Sequence, residues 1–170
     1  MRSIDIHAHI SPQPFIDAIE TGENWHGITS EAVASHHHNP RTVWSPEARL
    51  ADMDSLGVDV QVLSTNAVFY YYDKDAEAVA AMARDCNDYV SGLTKEHPDR
   101  FEGLGTLPMQ DIPASIEELE RCMGELGLKG AMIGDHVNGR TFDDPEFLPL
   151  WKAAERLGAM ILVHQGGPTI

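Results

Sequence analysis

Basic side chains are scarce in this sequence. Only 12 lysines and arginines stand against 27 aspartates and glutamates among 170 residues, which gives a formal net charge of −15 at pH 7. Binding nucleic acid without sequence preference needs clustered lysine and arginine, so the balance argues against a nucleic-acid partner. It argues equally against docking on anionic membrane surfaces. The charge bears on solubility and partners and does not set the fold.

Cysteines and long apolar runs are also rare. Cys86 and Cys122 are the two cysteines. Both lie inside helix-like patterns, so we expect small buried side chains and no disulfide framework. No apolar run approaches the roughly 20 residues of a membrane-spanning helix, and the opening MRSIDIHAHI lacks the apolar core of a secretory signal. We therefore expect a cytoplasmic protein without a membrane partner.

Five short segments have the composition of strands, and amphipathic stretches follow or precede each of them. The strand-like segments are residues 3–10, 58–66, 101–108, 128–136 and 159–165. Strands that alternate with helices predict an α/β fold with a parallel sheet, either an open doubly wound sheet or a (β/α)8 barrel. HAHISPQP follows the first strand where a dinucleotide-binding sheet would need a glycine-rich loop, which weakens the open-sheet alternative.

The helices are predicted from their end signals and apolar spacing. The first begins at Ser45 and ends at Gly57, and its apolar residues Leu50, Met53 and Leu56 keep helical spacing. Three further helices are expected at residues 75–97, at residues 113–126, and from an N-cap at Asp144 to Gly158. Residues 11–45 form a long insertion between the first strand and the first helix.

Histidines lie at the ends of three predicted strands. His7 and His9 are two residues apart on the first strand, so their side chains point to one face. His164 closes the fifth strand, and His136 follows the fourth. The carboxyl ends of the strands carry the active site in (β/α)8 barrels, and imidazole is a good zinc ligand. The pattern predicts a metal site at His7, His9 and His164, whereas His136 fits a loop cap as well as a functional residue.

Other candidate residues leave two interpretations open. Asp5 shares the face of the two histidines, where it would hydrogen-bond a ligand histidine or sit deeper in the barrel. Arg41 would clamp a substrate carboxylate or be a solvated surface residue. The tract SHHHNP at residues 35–40 is a weak ligand set, because neighbouring loop residues point in different directions. The aromatic run VFYYYD at residues 68–73 would line a pocket for a planar ligand or pack loops together.

Four segments carry a family resemblance: IDIHAHI, SPEARLADMDSLGVDVQVLS, FEGLGTLPMQD and ILVHQ. They resemble the amidohydrolase superfamily, and LADMDSLGVDVQVLS with GDHVNGRTFDDPEF resembles its aminocarboxymuconate-semialdehyde decarboxylase-like branch. The resemblance implies a (β/α)8 barrel with one divalent metal at His7, His9 and His164, zinc first and manganese as the alternative. It also implies that Arg41 holds a substrate carboxylate, and we take His136 as the second substrate-binding candidate.

The resemblance also bears on the number of metals. Superfamily members with two metals use a bridging lysine at the end of strand four. Lys129 stands at the start of that predicted strand, at the opposite end of the barrel. The resemblance therefore favours a single metal.

The resemblance covers the N-terminal portion of a longer family chain, roughly twice this length. The family's catalytic histidine on strand six and metal-binding aspartate on strand eight have no counterpart, so we assign no catalytic residue here. We expect a single domain at residues 1–170 that forms about five strands of a partial barrel. Five strands do not close an eight-stranded cylinder, so exposed edges remain. We expect the chain to be a fragment or a homo-oligomer.

Three functions are compatible with these residues and this resemblance. The first is a metal-dependent carboxy-lyase acting on a small carboxylated, aromatic-derived substrate. The second is a metal-dependent hydrolase of the same superfamily, because the ligand set alone does not separate the two reactions. The third is a non-catalytic barrel fragment that acts only by association.

Overall fold

The computed structural model of the chain describes residues 2–28 and 40–165. Within these ranges the strands are β1 Ile4–Ile10, β2 Val60–Thr65, β3 Phe101–Gly103, β4 Gly130–Ile133 and β5 Met160–Val163. The α-helices are α1 Gln13–Thr21, α2 Pro46–Leu56, α3 Ala76–Glu96, α4 Ile112–Arg121 and α5 Leu148–Leu157. Short 3-10 turns occupy Pro40–Val43, Ala67–Phe69 and Pro145–Phe147, and a π-helical turn, Cys122–Leu126, extends α4.

All five strands are parallel and adjacent in chain order. β1 pairs with β2, β2 with β3, and β4 with β5. Gly105 joins the two groups, because its N–H donates to the Gly130 carbonyl oxygen at 2.9 Å and its own carbonyl accepts from the Met132 N–H at 2.8 Å. The result is part of a (β/α)8 barrel with β1 and β5 at its two edges. The predicted fold class is confirmed.

A bulge interrupts β1 at the first of its histidines. Asp5 is aligned with Gln61 and Ala8 with Leu63, so three steps along β1 match two along β2. One extra residue in β1 leaves a backbone N–H without a ladder partner and bends the strand locally. This irregularity lies at Ile6 and His7, so it includes one of the predicted metal ligands.

The helix-start signals are confirmed by their hydrogen bonds. The Ser45 hydroxyl accepts from the Ala48 N–H, the Asp75 carboxylate from the Ala78 N–H, and the Asp144 carboxylate from the Glu146 N–H. Asp144 caps a 3-10 turn that leads into α5. The left-handed Gly57, Gly127 and Gly158 end α2, the π-helical turn and α5.

The inward face of α2 is not wholly apolar. Met53 is fully buried, but Leu50 is only half-buried and Leu56 is 59% exposed. Arg49 takes the inward position one turn before Met53 and is only 4% exposed. The apolar spacing therefore holds for Met53 and for Leu50, which packs against the same core cluster, but it gave no sign that the helix turns a cation toward β1.

The insertion after β1 contains regular structure in its described part. Helix α1 buries Phe15 and Ala18 against Trp25, Ile28 and Phe69. The sequence pattern did not predict this helix. The histidines of SHHHNP lie outside the described residues.

Two further predictions concern cysteines and membranes. Cys86 and Cys122 are both free and buried, as predicted. Across the residues described, no helix is both long enough and apolar enough to cross a bilayer.

Candidate functional site

Three histidine side chains from opposite edges of the sheet converge on one point. The Nε2 atoms of His7 and His9, both on β1, lie 2.9 Å apart. The Nε2 of His164, the residue after β5, lies 3.2 Å from that of His9 and 3.0 Å from that of His7. The Nε2 atoms therefore form a nearly equilateral triangle, and the structure brings together the three residues predicted as metal ligands.

Backbone contacts hold this triangle in place. The His164 N–H donates to the Ile133 carbonyl oxygen at 2.8 Å, which continues the β4–β5 ladder. The Nδ1 of His164 lies 2.8 Å from the Gln165 carbonyl oxygen. A carbonyl oxygen only accepts, so this Nδ1 carries the proton and Nε2 presents its lone pair.

The donor set fits a divalent cation. An imidazole Nε2 either donates or accepts, so three mutually close Nε2 atoms cannot satisfy all three contacts by hydrogen bonding alone. A shared cation satisfies all three lone pairs, and neutral imidazoles are ligands that zinc and its neighbours accept. Three nitrogen donors also leave a position for water or substrate, as in catalytic sites.

The pKa of His9 is lowered from 6.5 to about 4. Burial is the largest cause, followed by the charges that His164 and His7 would carry, while hydrogen bonds with the Ser64 and Thr65 backbone act in the opposite direction. His9 is therefore neutral near pH 7, which is the form that binds metal.

Asp5 supports the histidine pair through the backbone. One of its carboxylate oxygens accepts from the His7 N–H at 3.1 Å, and the other accepts from the Gln61 Nε2 at 3.0 Å. The His7 N–H lies within the β1 bulge. Asp5 thus satisfies this N–H, and its carboxylate bonds the backbone of a predicted ligand histidine.

A cleft of about 460 Å³ opens past the ends of β2 and β4, and its lining does not include His7, His9 or His164. It is lined by Ala67, Val68, Tyr70, Tyr71, Tyr72, Asp73, Gly134, Asp135, His136 and Asn138. Gly134 directly follows Ile133, the residue that His164 bonds. Five of the lining residues belong to the aromatic run VFYYYD, so this run forms one wall of the cleft.

The tyrosines of this wall are firmly held. Tyr70 and Tyr72 stack with ring centroids 5.4 Å apart and an interplanar angle of 13°. The Tyr72 hydroxyl accepts from the Gly134 N–H at 3.1 Å, whereas the buried Tyr70 hydroxyl has no partner among the described residues. Burial raises the pKa of both phenols, so both remain neutral donors at physiological pH.

The two predicted substrate-binding residues lie outside the histidine triangle. His136 lines the cleft and places its Nδ1 2.9 Å from an Asp135 carboxylate oxygen. Arg41 lies in the turn before α2, pairs with Asp52 at 3.1 Å and stacks over Trp44. The Arg41 side chain is 54% exposed. The structure therefore brings His136 to the cleft and directs Arg41 toward α2.

Sequence reasoning missed Arg49 and Gln61, which lie directly behind the histidines. Arg49 donates to the His9 carbonyl oxygen at 2.8 Å and to Gln61 at 3.2 Å. The one signal available was the spacing of Arg49 to Met53, which places both on one face of α2. Charged side chains are rarely buried, so this spacing alone did not predict that Arg49 faces the core.

Relatives with known activities were found by sequence and by structure. The 2-amino-3-carboxymuconate-6-semialdehyde decarboxylase of Dictyostelium discoideum is 35% identical over 95% of this chain and 48% of its own length. The crystal structure of 5-carboxyvanillate decarboxylase from Sphingomonas paucimobilis is 30% identical, with a TM-score of 0.77 over 96% of this chain and 51% of its own. The Novosphingobium aromaticivorans enzyme of that name, complexed with manganese and 4-hydroxy-3-methoxy-5-nitrobenzoic acid, is 25% identical, with a TM-score of 0.78 over 96% and 50%.

The matches extend over nearly the whole chain but over only part of each relative. The chain spans about half the length of the relatives it matches. A family model described as Amidohydrolase matches residues 4–170, which includes all five strands and the three converging histidines. The chain belongs to this amidohydrolase family.

Proposed function

We propose that this chain forms the metal-binding half of a carboxy-lyase that removes carbon dioxide from a small aromatic-derived carboxylate. The convergence of the three Nε2 atoms within 3.2 Å of one another is the observation that carries the proposal. The similarity to three decarboxylases supports this reaction over hydrolysis.

The metal we propose is one divalent ion held by His7, His9 and His164. Three imidazoles suit zinc, and manganese is the alternative because a relative is complexed with it. When bound, the ion would supply Lewis-acid polarisation of substrate oxygens.

The residues of this chain would bind and orient the substrate. The stacked Tyr70 and Tyr72 give the cleft a flat aromatic wall against which a planar ring would pack. The Nδ1–H of His136 donates to Asp135, which leaves the Nε2 to accept a hydrogen bond from a substrate hydroxyl. Arg41 would reach a carboxylate only after releasing Asp52, so its role in the proposal depends on that exchange.

Metal analysis tests the ligand set. Purified chain loaded with Zn²⁺ or Mn²⁺ and then desalted should retain about one ion per chain, as three imidazole donors hold such ions. A His7→Ala/His9→Ala variant should retain none. His97→Gln, which changes a histidine next to the end of α3, should retain the parental amount.

Ligand binding then tests the substrate class. The metal-loaded chain should bind 4-hydroxy-3-methoxy-5-nitrobenzoate, with a dissociation constant measured by calorimetry. The metal-free chain should bind this compound at least about tenfold more weakly. Equal metal retention by the parent and the double variant would refute the ligand set. Metal retention without any difference in ligand binding would refute the substrate class.

A further inference from the structure

Arg49 is a buried cation whose hydrogen bonds go to uncharged groups. It lies on α2 and is 4% exposed. Its three bonds go to carbonyl or amide oxygens, and none of the ion pairs among the described residues includes it. Its Nε is buried without a partner. A buried guanidinium with these partners is expensive to desolvate, so its position calls for an explanation.

The guanidinium joins the strand that carries two of the candidate ligands to a turn of the insertion. Its Nη2 donates to the His9 carbonyl oxygen at 2.8 Å and to the Arg41 carbonyl oxygen at 2.6 Å. His9 lies near the end of β1, and Arg41 lies in the Pro40–Val43 turn of the insertion. A planar fork holds two acceptors at a fixed separation, which a lysine ammonium does not reproduce.

A second path leads from the same guanidinium to His7. Its Nη1 donates to the Gln61 side-chain oxygen at 3.2 Å. The Gln61 Nε2 donates to Asp5 at 3.0 Å, and Asp5 accepts from the His7 N–H at 3.1 Å. This path ends at His7, within the β1 bulge. Arg49 is thus connected to the backbone of both β1 histidines.

We propose that Arg49 is a positioning residue for the histidine triangle. It fixes the His9 backbone directly and the His7 backbone through Gln61 and Asp5, so that both rings aim at His164. It also anchors the start of the turn that carries Arg41. The inference rests on the proposed metal function of the triangle, and it assigns Arg49 no contact with metal or substrate.

Cobalt binding tests the proposal with a spectroscopic readout. Arg49→Met should weaken Co²⁺ binding to the chain by about tenfold or more and change the visible absorption of bound Co²⁺, because loss of a group that orients a ligand has effects of this size. Arg49→Lys should recover part of the affinity. Gln61→Leu, which breaks only the path to His7, should weaken binding less than Arg49→Met.

Arg121→Met is the matched control. Arg121 is also an inward-turned arginine, 14% exposed at its side chain, but it pairs with Glu118 and Asp88, away from the histidines. This variant should lower the thermal midpoint and leave the Co²⁺ affinity and spectrum as in the parent. Parental affinity and spectrum in Arg49→Met would overturn the proposal. If Arg49→Met does not fold, Arg49→Lys and Gln61→Leu decide it by the same criterion.

A metal-free measurement separates this proposal from the proposed function. Long-range ¹H–¹⁵N NMR spectra of the imidazole nitrogens should show shifted His7 and His9 signals in Arg49→Lys and unchanged signals in Arg121→Met. Failure of the parent to bind Co²⁺ would refute the metal function alone, and the imidazole spectra would still decide the role of Arg49. Unshifted imidazole signals in Arg49→Lys would overturn that role.

Discussion

His9 combines burial with two neighbouring imidazoles, and this makes the site sensitive to acid. Its folded-state pKa of about 4 lies below the ordinary 6.5. Between pH 4 and pH 6.5, His9 binds a proton in the unfolded chain and does not bind one in the folded chain. The free energy of unfolding therefore rises with pH across this window, and stability falls as the pH drops from 6.5 toward 4.

Urea unfolding of the metal-free chain between pH 4 and pH 7 measures this effect. The parent should lose more stability over the window than His9→Gln, because glutamine does not titrate. Histidines away from the triangle contribute equally to both proteins, so the difference reports His9 together with its coupling to His7 and His164. Parallel stability curves would show that the burial of His9 does not govern its protonation.

At the residue scale, the sequence revealed the metal-ligand candidates but not their support. The spacing of His7 and His9 and the strand-end position of His164 followed from strand geometry. The β1 bulge did not, because it depends on the register against β2. Arg49 was missed for a related reason. A charged side chain counts as exposed in any pattern argument until the acceptors behind it are known.

Among the helices and strands, the residues at which helices begin were more predictable than the lengths of the strands and the contacts between them. Ser45, Asp75 and Asp144 cap their helices through local hydrogen bonds, so the sequence alone predicted that helical segments begin at these residues. β3 is three residues long where eight were expected, because the strand gives way at Gly105 to the contact with β4. At Gly130, with a φ of 147°, a Cβ would overlap the Met160 carbonyl oxygen, so the β4–β5 approach depends on tertiary contacts.

Glu118 links the helices on the outside of the sheet. It is 3% exposed, accepts from Asn87 at 2.7 Å and pairs with Arg121 at 2.8 Å. Asn87 lies on α3 and also bonds the Thr106 backbone, so one carboxylate connects α3, α4 and the segment after β3. Removing one partner of a buried ion pair leaves the other charge uncompensated.

Glu118→Ala should therefore lower the free energy of unfolding by about 3 kcal/mol. Glu120→Ala, on the same helix, removes an exposed pair with Arg156 and should cost about 0.5 kcal/mol. Urea denaturation monitored by circular dichroism compares the two. Equal losses would mean that the carboxylate network contributes no more than a surface ion pair.

At the scale of the whole molecule, the sheet ends in two apolar edges. β1 and β5 each pair on one side within the described residues. Ile4 is 58% exposed and Met160 is 41% exposed, both near the start of their strands and away from the histidines. Unpaired strand edges with apolar side chains associate readily with other chains.

The 170-residue chain should therefore self-associate as its concentration rises, which sedimentation equilibrium would detect. Ile4→Lys/Met160→Lys should shift the population toward monomer, because charged side chains on strand edges oppose pairing. Leu56→Lys is the control, since Leu56 is 59% exposed on α2 and belongs to neither edge strand. Dissociation by Leu56→Lys to the same extent would place the association on the helical surface. A parent that stays monomeric throughout would show that the edges are too short or too twisted to pair.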